Sequence, residues 1–316
     1  MSYTVRRLFQ MLVVMWVVAT IVFVLFRIIP GDPATVIVGR EALPEAVALM
    51  QAELGLDRPL VVQYVTWLGD TVRGDLGTAY TQGGIPARDV IMPALLRSIE
   101  LAFVSMILAA GLAIPLGIRA AVKAGSWTDG ATRTIAVVAF SVPSFWLAIL
   151  FILLFAVRLD WVPISGFVPL TEDPTEHIKR MILPAATIGF IQTGILLRFM
   201  RASMVSVLAE DYIRTAHAKG ATLRRVHYRH ALRNASIPFV TVMGVSFGGL
   251  VGGAVIVEQI FSWPGLGWLM VESIRDRSFD VIQGAVLVAS ALFVLINFAV
   301  DIAYTRLDPR ITYLED

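Results

Sequence analysis

Six apolar runs of membrane-spanning length decide what this chain can fold into: roughly Leu8–Ile29, Ser98–Ile118, Thr134–Val157, Met181–Phe199, Ile237–Val257 and Val281–Ala303. A bilayer core takes about 20 residues of helix to cross, and the backbone polar groups inside it must be satisfied within the segment. The pattern predicts an all-α integral membrane protein of six helices. Composition agrees: 57% of the 316 residues are hydrophobic and 16% charged, with a mean hydropathy of +0.75, against about 25% charged in a soluble domain. Pro143, Pro184 and Pro238 fall in or beside the runs, where neighbouring helices can satisfy the freed carbonyls. Arg6-Arg7 before Leu8–Phe26 looks like a signal peptide. The run exceeds the roughly 7–15 residues of a cleavable segment, however, and Pro30-Gly31-Asp32-Pro33 ends it without a small-residue cleavage site. An uncleaved first span is predicted.

Lys/Arg bias sets the direction. With the N-terminus in the cytoplasm, the inner segments hold Arg6 and Arg7; Arg119, Lys123 and Arg133; Arg198, Arg201, Arg214, Lys219, Arg224, Arg225, Arg229 and Arg233; and Arg306 and Arg310. On the outer side basic residues are outnumbered by acids such as Asp32, Glu41, Glu45, Glu53, Asp57, Asp70, Asp75 and Asp89. Six spans return the C-terminus to the cytoplasm. The expected divisions are a first helix over 1–29, an outer segment over 30–97, a five-helix core over 98–303 with an inner loop at 200–236, and a cytoplasmic tail over 304–316. In the outer segment Val61, Val65, Leu68 and Val72 recur at helical spacing opposite Gln63, Thr66 and Asp70, so one or two short surface helices are expected. Tyr64 and Trp67 suit a headgroup boundary. Both packing over the outer mouth and substrate contact fit this segment.

The inner loop from Glu210 to Pro238 is strongly basic. Glu210–Lys219 and Thr222–Arg233 read as two short helices, with Gly220 as a left-handed cap and Thr222 as the N-cap of the second. Ile213, Ala216 and Gly220 would form a line of close approach to a partner, rimmed by Arg214, Lys219, Arg224 and Arg225; Ala218 lies beside them. The competing reading is that these cations only enforce topology and bind anionic lipid.

IRTAHAKGATLRRVHYRHALRNASIP within this loop resembles the "EAA" loop of ABC-importer permeases of the peptide/nickel branch. The rest of the chain agrees in order: FRIIPGDPA (Phe26–Ala34), LGLDRPLVVQYVTWLGDTVRGDLG (Leu54–Gly77), GSWTDG (Gly125–Gly130), SVPSFW (Ser141–Trp146), FSWPGLG (Phe261–Gly267) and LDPRI (Leu307–Ile311). The long outer segment and the tail are similar to the B-type subunit. Arg214-Thr215-Ala216 stands where the general importer pattern has Glu-Ala-Ala, and His230-Ala231-Leu232-Arg233 where it has Ile-x-Leu-Pro. The resemblance implies a type I importer permease fold with cytoplasmic coupling helices. It also implies residence in a bacterial or archaeal inner membrane. The implied partners are a second, C-type permease, two cytoplasmic ATPases that carry ATP and Mg, and an extracytoplasmic binding protein. Peptides or a related small solute would pass, and the coupling role falls on Arg214, Ala216, Ala218, Lys219, Gly220, Arg224 and Arg225.

Other chemistry finds little support. No GxxxxGK[ST] phosphate loop exists, so ATP hydrolysis is expected on separate subunits and the chain itself is expected to be non-catalytic, without a cofactor or metal. Gly265–Gly267 follows Trp263-Pro264 and reads as a turn. His227 and His230 have metal-binding spacing but sit among arginines. There are no cysteines. Ion-coupled transport without ATPases is the alternative function, but it needs carboxylates deep in the membrane. Arg27, Glu100, Glu258 and Asp301 all read as lying near span ends. A membrane enzyme would need a convergent catalytic cluster, and no motif supplies one. Gly244, Gly248, Gly249, Gly252 and Gly253 allow two readings, tight helix packing or the lining of a passage beside a second permease. Ser141, Ser144 and Gln192 are further lining candidates.

Overall fold

The computed structural model describes residues 3–28, 32–39 and 41–307. Its helices are α1 (Tyr3–Ile28), α2 (Pro33–Val38), α3 (Pro44–Glu53), α4 (Leu60–Val72), α5 (Ala87–Val122), α6 (Trp127–Ser141), α7 (Ser144–Phe151), α8 (Pro174–Leu208), α9 (Asp211–Ala218), α10 (Leu223–Arg225), α11 (Leu232–Gly253), α12 (Val255–Ile260), α13 (Leu266–Arg275) and α14 (Phe279–Leu307). A two-residue antiparallel pair, Thr78–Ala79 with Ile85–Pro86, precedes α5. Two compact units result: Met1–Ser98 with Pro264–Val294, and Ile99–Trp263 with Leu295–Asp316.

Among the described residues five helices are long and apolar enough to cross a membrane, or six if the bent α6–α7 pair is one span. The predicted third span, Thr134–Val157, is therefore not one straight helix: it turns by 101° between Ser141 and Ser144. Pro143 is the cause. A proline disfavours helical backbone at the preceding residue, and Val142 is extended at φ −76°, ψ 125°. The predicted fifth span, Ile237–Val257, also breaks, at Ala254 after Gly252-Gly253. By contrast α8 continues unbroken through Pro184. The helix carrying the second span begins at Ala87, eleven residues ahead of the predicted Ser98. This places Glu100 well inside a helix rather than near its end.

In the first unit, α5, α13 and α14 enclose Ala87, Ile91, Ala94, Leu266, Leu269, Val281 and Ala285. The Ser98 hydroxyl accepts the Leu266 N–H at 2.7 Å, and Gly265 is the N-cap of α13, so the Gly-Leu-Gly stretch is the turn and first residues of a helix. Three short helices, rather than one or two, follow α1. Asp32 clasps the first two: its carboxylate accepts from Ala34 N–H at 3.1 Å, Thr35 hydroxyl at 2.8 Å and Gln51 amide at 2.9 Å. Burial alone would raise the Asp32 pKa, but these donors outweigh it and hold the carboxyl below its usual value. On α4 the valine stripe does not do the packing. Val61, Val65 and Val72 are exposed, while Trp67 and Leu68 pack against α1 and α14 residues. Tyr64 and Trp67 meet the Phe23 ring at 5.2 and 5.4 Å, and the Tyr64 hydroxyl pairs with Thr20 at 2.7 Å.

In the second unit α8 is the axis, packed on α6, α7 and α11. Of its apolar stretch 61% is buried, against 17% for α1, and Gln192 and Thr193 lie among its buried residues. Glycine permits the close approach. A Cβ on Gly194 would lie 2.8 Å from Ala136 O and 3.0 Å from Phe140 N, and one on Gly189 would lie 3.1 Å from Ser105 O. One ion pair pins the same helices. Arg201 donates through Nε and Nη2 to both oxygens of Asp129, the latter at 2.8 Å, and Asp129 is 1% exposed. The Gly125 N–H also donates to Asp129 at 3.0 Å, and the Ser126 hydroxyl caps α6. At the opposite end of α8, His177 is buried with Nε2 3.0 Å from Glu100 Oε1 and Nδ1 2.7 Å from Val168 O.

Two outcomes are expected. Gly194→Leu forces α6 and α8 apart and costs about 1–3 kcal/mol, seen as a lower unfolding temperature in detergent, whereas Gly130→Ala, with open space around it, does not lower it. Asp129→Ala and Arg201→Ala each destabilise the fold, and the double variant is no less stable than the worse single, because either one already abolishes the pair.

Candidate coupling surface

The loop after α8 folds around one apolar anchor. Ile213 of α9 is 2% exposed and sits with Met200, Met204, Val226 and Ala231 in the core of the second unit, where Ala216 and Ala221 pack on its edge. Ile213 therefore faces its own protein, and the expected partner-facing line through Ile213, Ala216 and Gly220 does not form. The reason is the helical repeat. An eight-residue amphipathic helix with one large aliphatic residue buries that residue, and its polar positions turn outward. Arg214, Thr215, His217, Ala218, Lys219 and Gly220 are exposed. Arg214 makes only a surface pair with Asp211, at 3.3 Å.

Gly220 adopts φ +77° with nothing within 4 Å of where a Cβ would stand, so its glycine is required by conformation and not by crowding. The Lys219 and Gly220 N–H groups close the turn on Thr215 and His217 carbonyls at 3.0 and 2.9 Å. Thr222 then caps the next helix, its hydroxyl accepting the Arg225 N–H at 3.4 Å. That helix is not the short one expected over Thr222–Arg233. α10 passes through a π-helical stretch, Val226–Ala231, directly into α11, giving one helix from Leu223 to Gly253. Val226, Ala231, Ala235 and Phe239 are buried along it, and the helix continues through Pro238. Tyr212 closes the corner by accepting the Asn234 amide at 2.8 Å.

Between α9 and the start of this long helix lies a shallow hollow of about 420 Å³, lined by Tyr212, Thr215, Ala216, Lys219, Gly220, Ala221, Arg225 and His230. It gathers four of the expected coupling residues, Ala216, Lys219, Gly220 and Arg225. Arg214, Ala218 and Arg224 are exposed outside it. The Asp129–Arg201 pair, which holds the end of α8 beside this loop, was missed from sequence. Its one signal was an acid in the GSWTDG segment among inner-side cations.

The expected passage residues divide. Ser141 and Ser144 flank the α6–α7 bend, exposed and half-buried respectively. Gln192 is buried and its Oε1 finds no partner. At Gly244 a Cβ would run into Val300 of α14, so this glycine serves packing. Gly248 is buried, whereas Gly249, Gly252 and Gly253 are exposed. Glu258 is fully buried, not at an open span end. The tail motif beyond Leu307, residues 29–31 of the first motif, Arg310 and the side chain of Arg306 lie outside the described residues.

Comparison with known proteins agrees with this architecture. Residues 113–313 match the family model described as "Binding-protein-dependent transport system inner membrane component", and residues 1–88 match its N-terminal companion. The chain is 39% identical to the Sinorhizobium fredii protein named "Probable peptide ABC transporter permease protein y4tP", covering 98% of this chain and 99% of that one. It is 40% identical to the "Glutathione transport system permease protein GsiC" of Escherichia coli, with 99% of each covered. A chain of the inward-facing MetNI methionine ABC transporter superposes with a TM-score of 0.58 at 16% identity, covering 69% of this chain and 96% of that one; at that identity the likeness concerns the fold. These findings bear out the ABC-importer reading of the sequence and not the ion-coupled one. The chain belongs to the family of binding-protein-dependent transport system inner membrane components, and it is a transmembrane permease subunit of an ABC importer.

Proposed function

We propose that this permease works with a second, C-type permease, two cytoplasmic ATPases that bind ATP and Mg, and an extracytoplasmic binding protein, and that α9 is where the ATPases act on it. The observation that carries the reading is the two-sidedness of α9. Ile213 roots it in the core beside α8 and α11, while Arg214, Ala218 and Lys219 leave its other face bare and cationic. A push on that face reaches the spans with little loss, because Leu223–Gly253 is continuous and Asp129–Arg201 ties α8 to α6. The spans then rock as rigid bodies between outside and inside access. Both termini lie in the cytoplasm on the Lys/Arg bias.

The solute is a peptide or a small peptide-like compound, on the strength of relatives named for peptide and glutathione transport. The Gly249–Gly253 face and the Ser141–Ser144 bend are the parts of this chain proposed to border its path.

A cysteine at Ala218 is expected to crosslink to an ATPase subunit in the active importer, and one at Ile213 not to. If no exposed position of α9 crosslinks in a complex that still transports, the coupling role is wrong. For the passage, Gly252→Leu is expected to reduce solute uptake at least tenfold, about 1.4 kcal/mol of transport barrier, with the complex intact on gel filtration. Gly244→Leu, pressed against Val300, is expected to lower the yield of assembled complex instead. Full uptake by an assembled Gly252→Leu importer would remove that helix face from the path.

A further inference from the structure

The α6–α8 crossing has a second consequence. Beside the point where Gly194 meets the α6 backbone, the two helices leave a cavity of about 280 Å³ walled by Ala136, Val137, Phe140 and Ile195. Arg133, Arg198 and Arg201 stand at its edge. Among the described residues Asp129 is the one carboxylate paired with this group. Arg201 takes both of its oxygens, and Arg133 approaches it only to 3.8 Å with its side chain 61% exposed. Arg198 lies over the Phe199 ring, 5.6 Å from its centroid, with no ion pair among the described residues. Three guanidiniums against one carboxylate leave about two positive charges over an apolar slot.

α8 and the bent α6–α7 pair are apolar enough to cross a membrane, so a slot on their flank is open to lipid. Its walls suit an acyl chain, and its rim suits a phosphodiester, which guanidinium binds through charge-assisted hydrogen bonds. Basic pockets between spans favour anionic headgroups for this reason. A zwitterionic lipid would bring an ammonium up to the same cations. An apolar helix from another subunit would bury two guanidiniums without partners, which is costly. We propose that the α6–α8 groove is a binding site for one anionic phospholipid, its phosphate held by Arg133 and Arg198 and one acyl chain laid along Val137, Phe140 and Ile195. The site stands at the α9 end of α8, so an occupying lipid braces the helix that bears on the coupling loop.

The test uses the assembled importer in vesicles of phosphatidylethanolamine doped with a photoactivatable phosphatidylglycerol, with adducts mapped by mass spectrometry. Adducts are expected on residues 132–140 and 194–202. The double variant Arg133→Gln/Arg198→Gln is expected to lower them about tenfold while adducts elsewhere on the complex are unchanged. Val137→Trp, which fills the slot without altering charge, is expected to lower them as well, and it carries the test if the double variant does not assemble. Equal labelling by a photoactivatable phosphatidylethanolamine, or undiminished labelling of both variants, overturns the site. So does efficient crosslinking of a cysteine at Val137 to the second permease, which would place a protein helix in the groove. Because the readout is lipid labelling, it does not depend on whether α9 engages an ATPase.

Discussion

Close backbone approach at α8 is the constraint on which the second unit rests. Within hydrocarbon there is no hydrophobic drive between helices, so association depends on van der Waals fit and on satisfied polar groups. Gly194 and Gly189 give α8 the first by letting α6 and α5 backbone come within contact distance. Asp129 with Arg201, and His177 with Glu100, give it the second at its two ends. An ion pair of this kind adds little net stability once desolvation is counted. Its value is registry: it permits one setting of α6 against α8.

That setting bears on the coupling role proposed for α9. A short surface helix held by a single aliphatic side chain would ordinarily move by itself. Here Ile213 enters the same core as Met200 and Met204 of α8 and Val226 of the helix that follows. A displacement of α9 is therefore shared by two long helices at once. The π-helical stretch at Val226–Ala231 keeps that continuity, as single-turn π stretches inside α-helices do.

Much of this was legible from residues alone where the signal was local. The turn at Gly220 and the Thr222 cap follow from backbone preference and are found where the pattern put them; the apolar runs are found as helices, but the third bends at Pro143 and the fifth breaks at Ala254. What escaped depended on a neighbour. The α4 stripe of Val61, Val65, Leu68 and Val72 has the right spacing to be a packing face, yet of these Leu68 packs while the three valines are exposed, because α1 presents Phe23 and Thr20, which meet Tyr64 and Trp67. Ile213 had the spacing of a docking line, and the core claimed it. Asp129 and Arg201 are 72 residues apart, and no periodicity joins them.

Sequence by itself determined that the chain lives in a bilayer as a helical bundle, which loop is basic, and to which family it belongs. The first two facts rest on the cost of unsatisfied backbone in hydrocarbon and on short-range preferences that every segment carries alone, and the third on motifs shared with relatives. Tertiary structure alone decided which face of α9 is free, that the span at Pro143 bends by 101° and that α8 continues unbroken through Pro184. It also decided which glycines of α11 press on Val300 and which stay open. These depend on what stands opposite a residue across helices, and a linear pattern does not record the identity of that neighbour.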